Sequence, residues 1–230
     1  MNPFFHLAPL FTQTFIWVPT RFMLEFFGRL KIEGLENLDE VKANVIFAMN
    51  HSSEIDPFMI PASLPITSRF LPLFYATKGK DFYSNSGWRK YMFGGIFINL
   101  WGGHTVVSGA HDYKVSLKNH MKLANAGESF VVFPEGGITR DGNLRPAHGG
   151  LAFLADYAKI PIVPVAVSGV YGMSVIDFFE RKRKITIRFG KPIYQEELKQ
   201  LAESDHQEGE NIYKKQSEYV MRKIREMVIV

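Results

Sequence analysis

Short apolar runs rich in β-branched and aromatic residues alternate with helical patterns along most of the chain. The strand-like runs cover residues 45–48, 70–76, 96–100, 130–133, 160–167 and 185–189. Between two of them, apolar residues recur at spacings of three and four, which predicts one buried helix face: Ala110, Tyr113, Leu117, Met121 and Ala124. Strands that alternate with helices form a largely parallel sheet covered by helices. The sequence therefore predicts an α/β fold with a mostly parallel central sheet flanked by helices.

Size and composition limit the classes of protein that the chain can be. Its 230 residues suffice for one α/β core, and its zero cysteines exclude disulfide scaffolds, thiolate zinc sites and cysteine nucleophiles. The net charge of +4 suits an anionic membrane surface or a phosphate-bearing substrate. Because no basic stripe with interleaved aromatic residues accompanies this charge, we expect no nucleic-acid partner. The histidine spacings match no metal motif, and we expect no bound metal.

The N-terminal stretch differs from the rest of the chain. It carries no charge before Arg21 and holds seven of the 20 Phe residues. Prolines and polar residues interrupt it, which favours an interfacial helical region over a membrane span. We expect its apolar side to enter a lipid leaflet, with Arg21, Arg29 and Lys31 at the level of the headgroups. The alternative is that this region packs on the protein's own core. This predicts a membrane-associating region, 1–34, at the cytoplasmic face, followed by one domain, 35–230.

A histidine and an aspartate follow the apolar run 45–48. His51 precedes Asp56 by five positions, and Asp56-Pro57 is typical of a helix start, with Asp as the N-cap. The intervening turn can fold the carboxylate back onto the imidazole, fixing its tautomer and leaving the other nitrogen to take a proton. The chain has no G-x-S-x-G nucleophile elbow. We therefore expect His51 to be a general base for a hydroxyl of the substrate; a capping Asp with an incidental His is the alternative.

A glycine-bearing loop follows the run 130–133. It contains Glu135, Gly136 and Arg140, so that exposed backbone amides and a guanidinium can hold a phosphate or a headgroup. The alternative is a tight connection between a strand and a helix.

Five short motifs follow one another along the chain. They are Asn50-His51 with Asp56, Gly94-Gly95-Ile96-Phe97-Ile98, Phe133-Pro134-Glu135-Gly136, Ile162-Val163-Pro164-Val165 and Gly190-Lys191-Pro192-Ile193. This ordered set resembles that of the glycerophospholipid acyltransferases, best known as 1-acylglycerol-3-phosphate acyltransferases. The resemblance implies an acyltransferase of phospholipid biosynthesis that moves a fatty acyl group from acyl-CoA or acyl carrier protein to the hydroxyl of a lysophospholipid or related glycerolipid. It implies no metal, no cofactor beyond this co-substrate and no acyl-enzyme.

The resemblance also assigns roles to residues. It implies that His51 is the catalytic base and that Asp56 orients it. The implied acceptor-binding residues are Glu135, Gly136, Gly94, Phe97 and Ile98. Pro164 would shape the wall beside the acyl donor.

Two positions depart from the family pattern. The second motif of the family ends in an acidic residue and Arg, whereas this chain has Asn99-Leu100. The third motif continues as Thr-Arg directly after its first glycine, whereas here Arg140 comes two residues later. The cations available to replace that arginine in binding the acceptor are Lys78, Lys80, Arg89, Arg140 and Arg145. Of these we prefer Lys78 and Arg140, because both closely follow predicted strands.

Two other functions fit the same residues. An acyl-thioester hydrolase would use water in place of the alcohol at the same base. A lipid-binding module would keep the fold and the surface helix without catalysis. The His51 and Asp56 pair favours an enzyme over the binding module.

Overall fold

The computed structural model describes residues 4–79, 87, 91, 95–107, 109, 112–203 and 210–229. Over these residues the chain forms a seven-stranded sheet. Its strands are β1 (Lys31–Glu33), β2 (Ile46–Met49), β3 (Leu73–Thr77), β4 (Gly103–Thr105), β5 (Ser129–Val132), β6 (Ile162–Ser168) and β7 (Thr186–Phe189). They lie in the order β1-β7-β6-β2-β5-β3-β4, and every neighbouring pair is parallel except β6 and β7. The mostly parallel sheet predicted from the sequence is confirmed.

Helices cover both faces of this sheet. They are α1 (Phe4–Phe26), α2 (Asp56–Ser63), α3 (Ile96–Leu100), α4 (Tyr113–Ser116), α5 (Lys118–Asn125), α6 (Gly150–Ala158), α7 (Val175–Phe179), α8 (Gln195–Glu203) and α9 (Glu210–Met227), with a 3₁₀ helix at Leu35–Glu40. Residues of α1 and α2 pack on one face, whereas residues of α5, α6, α8 and α9 pack on the other. This arrangement gives the flanking helical layers that the alternation predicts.

Strand β2 shows why the core runs are continuously apolar. Phe47 and Met49 point into one layer of the core, whereas Ile46 and Ala48 point into the other, and all four side chains are fully buried. A parallel strand covered on both faces has no polar side, so its residues do not alternate with polar ones. Burying one large aliphatic or aromatic side chain stabilises the fold by about 1.5–3 kcal/mol.

The parallel strands bring the chemistry-bearing segments to one edge of the sheet. Register pairs Ala48 with Val132 and Tyr75 with Val131, so β2, β5 and β3 end at a similar level. The residues that follow these strands, among them His51, Phe133 and Lys78, therefore emerge at the same edge. Open α/β sheets bind their ligands at this carboxyl edge.

Helix α1 has a face bound to the core and a face exposed to solvent. The buried Gln13 side chain donates to the carbonyls of Leu73 (2.7 Å) and Trp101 (2.8 Å) and accepts from the Leu73 N–H (2.9 Å). Trp17 and Arg21 donate to carbonyls at the end of α2. The opposite face exposes an apolar row, the α1 stripe: Leu7, Phe11, Phe15, Val18, Phe22 and Phe26. In the described part of the chain, no helix combines the length and the apolar character that a membrane span needs.

Two of the predicted elements differ from those in the structure. The run 96–100 is helix α3, not a strand, because its buried side chains continue at a helical spacing of three, from Ile98 to Trp101. The helix expected from residue 110 to 124 is divided at Leu117 into α4 and α5, and Ala110 lies outside the described residues. The expected boundary at residue 35 follows β1, which already pairs with β7 in the main sheet.

Candidate active site

The turn between β2 and α2 brings His51 and Asp56 together. Nδ1 of His51 lies 2.9 Å from Oδ2 of Asp56. Because an ionised carboxylate can only accept, Nδ1 carries the proton and Nε2 is the nitrogen that can take another. The same Oδ2 accepts the backbone N–H groups of Ser52 (2.6 Å) and Ser53 (2.8 Å). The carboxylate thereby fixes both the tautomer of the imidazole and the shape of the turn.

The position of Asp56 differs by one residue from the sequence expectation. Ile55 is the N-cap, and Asp56 begins the helix with Pro57 directly after it. Asp56 therefore accepts from the turn that precedes it, and its side chain is completely buried. The His51 side chain retains 15% of its surface, which leaves the imidazole accessible to solvent.

The loop after β5 holds His51 from the other side. The ring of Phe133 stacks on the imidazole, with 4.0 Å between the ring centroids and 17° between the planes. The His51 N–H donates to Oε1 of Glu135 (2.8 Å), and the Thr139 N–H donates to the His51 carbonyl (2.8 Å). Backbone and ring of the histidine are thus both fixed by a segment far away in sequence.

Glu135 is a buried residue of this loop. It is 1% exposed, and its second oxygen, Oε2, accepts the N–H of Arg145 at 2.8 Å. Burial raises the pKa of Glu135, although the two backbone N–H groups act in the opposite direction. Since both carboxylate oxygens bind backbone, the geometry makes Glu135 a strut between His51 and the far end of the loop, a task that the motif alone did not reveal.

Asn50 ties the end of β2 to the neighbouring strand. Its amide donates to the Val167 carbonyl (3.0 Å) and accepts the Val167 N–H (2.8 Å). The side chain thus replaces a backbone pair at the point where β2 ends, and it fixes where His51 leaves the sheet. The sequence singled out Asn50 only as the neighbour of His51.

Two cations come together over the glycines of the loop after β5. A Cβ on Gly137 would lie 3.2 Å from Nη1 of Arg145 and 3.7 Å from Nζ of Lys78. Partial burial and the charge of Arg145 lower the pKa of Lys78, which is the cost of holding two like charges close together. An anion bound between these two groups would offset that cost.

The other cation expected here, Arg140, has a different setting. It is exposed, and its carbonyl accepts the hydroxyl of Tyr171 at 2.9 Å. Arg145, which sequence reasoning did not select, is the arginine that meets Lys78. Arg145 reaches this position because its backbone N–H binds Glu135, which brings the two ends of the loop together. The spacing of residues in the sequence does not predict that contact.

Gly136 has a conformation and an environment that require glycine. Its φ is +65°, and a Cβ there would lie 2.8 Å from Cδ2 of His148. The His148 N–H donates to the carbonyl of Pro134, which closes the loop around this point. Any larger residue at 136 would be strained at this φ and would have to displace the His148 ring.

An apolar groove begins beside the His51 turn. Its volume is about 510 Å³, and it lies between α1 on one side and residues 173–179 on the other. Its lining includes Ile16, Met23, Ser53, Ile55, Phe58, Phe97, Met173 and Phe178. Because Ser53 both lines the groove and donates to Asp56, the groove is adjacent to the His51 and Asp56 pair. Sequence reasoning did not identify the 173–179 wall.

The remaining expected site residues lie in different places. Phe97 lines the groove, whereas the side chain of Ile98, the next residue of α3, is buried in the protein. Pro164 is buried within β6, where a Cβ on Gly190 would touch it, and it is not part of the groove lining. Gly94 lies outside the described residues.

The amino-acid sequence of the chain is similar to those of known proteins. A family model described as "Acyltransferase" matches residues 29–168. The "1-acyl-sn-glycerol-3-phosphate acyltransferase BAT2, chloroplastic" of Brassica napus is 28% identical over 143 residues, which cover 62% of this chain and 38% of that protein. The "1-acyl-sn-glycerol-3-phosphate acyltransferase" of Limnanthes douglasii is 28% identical over 166 residues, or 71% of this chain and 54% of that protein. The chain thus spans about a third to a half of these curated relatives.

A solved structure has a similar fold. The crystal structure of the 1-acyl-sn-glycerophosphate (LPA) acyltransferase PlsC from Thermotoga maritima superimposes with a TM-score of 0.59 at 19% sequence identity. The match covers 95% of this chain and 79% of the other. The similarity of fold thus extends over nearly the whole chain.

Proposed function

The chain belongs to the acyltransferase family, and from this premise we propose that it transfers a fatty acyl group from an acyl thioester to the hydroxyl of a lysophospholipid that carries a phosphate. One observation carries the proposal. The turn that contains His51 and Asp56 borders the apolar groove at Ser53. The loop that binds the His51 backbone through Glu135 also carries Gly137, the position at which Lys78 and Arg145 come together. A base beside a site for a hydrocarbon chain, held by a loop that carries a site for an anion, matches the layout of such a substrate.

The proposed reaction needs one base and no covalent enzyme intermediate. Nε2 of His51 takes the proton of the acceptor hydroxyl while the oxygen bonds to the thioester carbonyl carbon. The carbon–sulfur bond then breaks, the electron pair leaves with sulfur, and the proton on His51 passes to the thiolate. Asp56 keeps Nδ1 protonated throughout and stabilises the imidazolium that forms.

We assign the acceptor phosphate to the cations over Gly137. Lys78 and Arg145 both approach Gly137, where no side chain of the loop separates them. Leu100 replaces the arginine of the family pattern, and its carbonyl accepts the Thr12 hydroxyl at 2.7 Å. The Lys78 and Arg145 pair supports a glycerol phosphate acceptor in spite of that replacement. The names of the curated relatives point to the same class of acceptor.

We assign the hydrocarbon chain of the substrate to the apolar groove. Its apolar lining would bury a fatty chain at about 25 cal/mol for each Å² removed from water. Either acyl-CoA or acyl carrier protein can supply the thioester. We further propose that the α1 stripe lies in the lipid interface, because its six large apolar side chains are exposed along one side of a helix that is fixed to the core. The cytoplasmic face of the membrane stays a prediction.

The decisive test uses the full chain in mixed micelles with acyl-CoA and a lysophosphatidic acid. Thiol release and the new diacyl product are measured together, with and without the acceptor. We expect thiol release to depend on the acceptor, and His51→Ala to lower product formation by about 10²- to 10⁴-fold with unchanged thermal stability. His6→Ala, which changes a histidine near Glu128, serves as the matched control and should keep its activity.

Two outcomes would contradict the proposal. Release of free fatty acid at the same rate without acceptor would favour the thioester hydrolase. Full activity of a folded His51→Ala protein would remove the base on which the mechanism depends.

A further inference from the structure

A second exposed apolar surface lies beside the end of α1. Helix α7 exposes 72% of Val175, 65% of Ile176 and 48% of Phe179, and we call these three residues the α7 ridge. A capping box between Ser174 and Asp177 fixes the start of this short helix. The ridge is therefore a formed element that presents large apolar side chains to the surroundings, which marks an interaction surface.

The α7 ridge is continuous with the α1 stripe. The ring of Phe27 meets the ring of Phe179 edge to face, with centroids 4.9 Å apart, and that of Phe178 at 5.9 Å. The guanidinium of Arg181 lies 4.9 Å from the ring centroid of Phe26, the last residue of the stripe. Two elements that are distant in sequence thus form one apolar surface with a cation at their junction.

A basic run follows the ridge directly. Arg181, Lys182, Arg183 and Lys184 are all exposed. Lys182 pairs with Glu180 at 2.6 Å and with Asp177 at 3.7 Å, and Arg183 donates to the Tyr171 carbonyl. The four cations outnumber these two acids, so the rim of the ridge is cationic.

This composition identifies the partner by its chemistry. Protein interfaces are depleted in lysine, whereas anionic lipid surfaces attract clustered Lys and Arg beside inserted apolar side chains. We propose that the α7 ridge and the basic run 181–184 form a second membrane-contact element that binds anionic phospholipids. The inference rests on the proposed function, because the surface in question is the bilayer on which α1 lies.

The element has a consequence for substrate access. Val175, Phe178 and Phe179 line one wall of the apolar groove, and α1 lines the opposite wall. If both walls contact lipid, the groove between them opens toward the leaflet. A lysolipid or acyl chain then enters sideways from the membrane without crossing water.

The absence of cysteine from the sequence makes a direct test simple. Ile176→Cys in the full chain is labelled with the environment-sensitive dye NBD and mixed with vesicles of phosphatidylcholine, with or without phosphatidylglycerol. We expect a blue shift, and quenching by lipids with brominated chains, on the anionic vesicles. The control is Asn119→Cys, labelled in the same way on the exposed side of α5, which packs on the sheet face opposite α1, and it should show neither change.

The charge requirement is tested separately. Replacing Arg181, Lys182, Arg183 and Lys184 together by Gln should lower partitioning into anionic vesicles by at least about tenfold. The matched control removes the same charge from α9 by replacing Lys214, Lys215, Arg222 and Arg225 with Gln, and it should partition like the unchanged protein. Equal losses in both variants would overturn the proposal in favour of nonspecific attraction.

Three further outcomes decide the proposal. A dye at residue 176 that stays in water while the protein sediments with vesicles would overturn it. A blue shift that grows with protein concentration in the absence of lipid would overturn it as well, because a second copy of the chain would then cover the ridge. Dye insertion in a protein that transfers no acyl group in micelles would support the membrane element and contradict the proposed function alone.

Discussion

His51 is held from two sides, by the turn 51–56 after β2 and by the loop 133–145 after β5, and each side contributes one buried carboxylate. One oxygen of Asp56 accepts three hydrogen bonds, and one of them comes from the imidazole itself. Glu135 uses both oxygens for backbone N–H groups and does not hydrogen-bond the ring. The comparison teaches that two buried acids bound to one histidine can do different work, because Asp56 contacts its ring and sets the tautomer whereas Glu135 fixes its backbone.

The sharpest way to break this comparison is Asp56→Asn. The amide keeps the size of the carboxylate but can present an N–H to Nδ1 and so favour the wrong tautomer. We expect the turnover number to fall by about 10²- to 10⁴-fold with a small change in KM. Steady-state kinetics in mixed micelles measures both. A loss confined to KM would mean that Asp56 shapes the acceptor site instead of the base.

The second prediction concerns the other task of the 133–145 loop, the binding of an anion. Arg145→Gln and Lys78→Gln should each raise the KM for a phosphate-bearing acceptor by about ten- to a hundredfold, as expected for the loss of a charge-assisted hydrogen bond. An acceptor without phosphate, such as a monoacylglycerol, should react at the same rate with variant and unchanged protein. Arg140→Gln is the matched control, with an expected change below about fivefold. A larger effect at Arg140 than at Arg145 would reverse the assignment.

The third prediction tests the strut. Glu135→Gln loses one of two backbone acceptors, so the free energy of unfolding should fall by about 1–3 kcal/mol. The turnover number should fall far less than in Asp56→Asn, because the contact of the imidazole with Asp56 remains. Urea unfolding and kinetics on the same preparation separate the two effects. An Asp56→Asn protein that loses as much stability but keeps its activity would invert the two roles.

The smallest expected effect is a dependence of stability on pH. The pKa of Glu135 is raised above its ordinary value of 4.5 by burial, so the folded protein holds this proton more tightly than the unfolded chain does. The stability that this proton contributes is complete below about pH 4.5 and is lost as the pH rises through the folded pKa. The unchanged protein should therefore lose stability relative to Glu135→Gln across that window. Urea unfolding at each pH measures the free energy of unfolding of both proteins. A difference between the two proteins that stays constant with pH would contradict the raised pKa of Glu135.

Local features of the sequence were enough to predict the sheet and the turn that brings His51 and Asp56 together. The apolar run before His51 indicates a buried strand, and Asp56-Pro57 indicates the helix start five residues later. A short turn between two such elements leaves few ways to place the carboxylate, so the contact between the two side chains follows from spacing and turn geometry. The one-residue shift of the helix start, with Ile55 as N-cap, changes nothing in that contact.

Features that depend on packing between distant segments could not be predicted in the same way. Arg145 reaches Lys78 only because Glu135 draws residues 51 and 145 to the same carboxylate. The groove exists only where α1 faces residues 173–179, which are more than a hundred residues away. The run 96–100 was interpreted as a strand because five apolar residues carry too few repeats to distinguish a strand from a helix.

The buried amide of Gln13 gives α1 a mechanical role. Because it binds the backbone of Leu73 at the start of β3 and the carbonyl of Trp101 before β4, the helix cannot leave the domain without breaking hydrogen bonds in the centre of the protein. A bilayer that binds the outer side of this helix is thereby coupled to the whole sheet. Vesicles should then raise the melting temperature of the entire domain, including strands that do not touch lipid, because a ligand that binds only the folded state stabilises it by mass action.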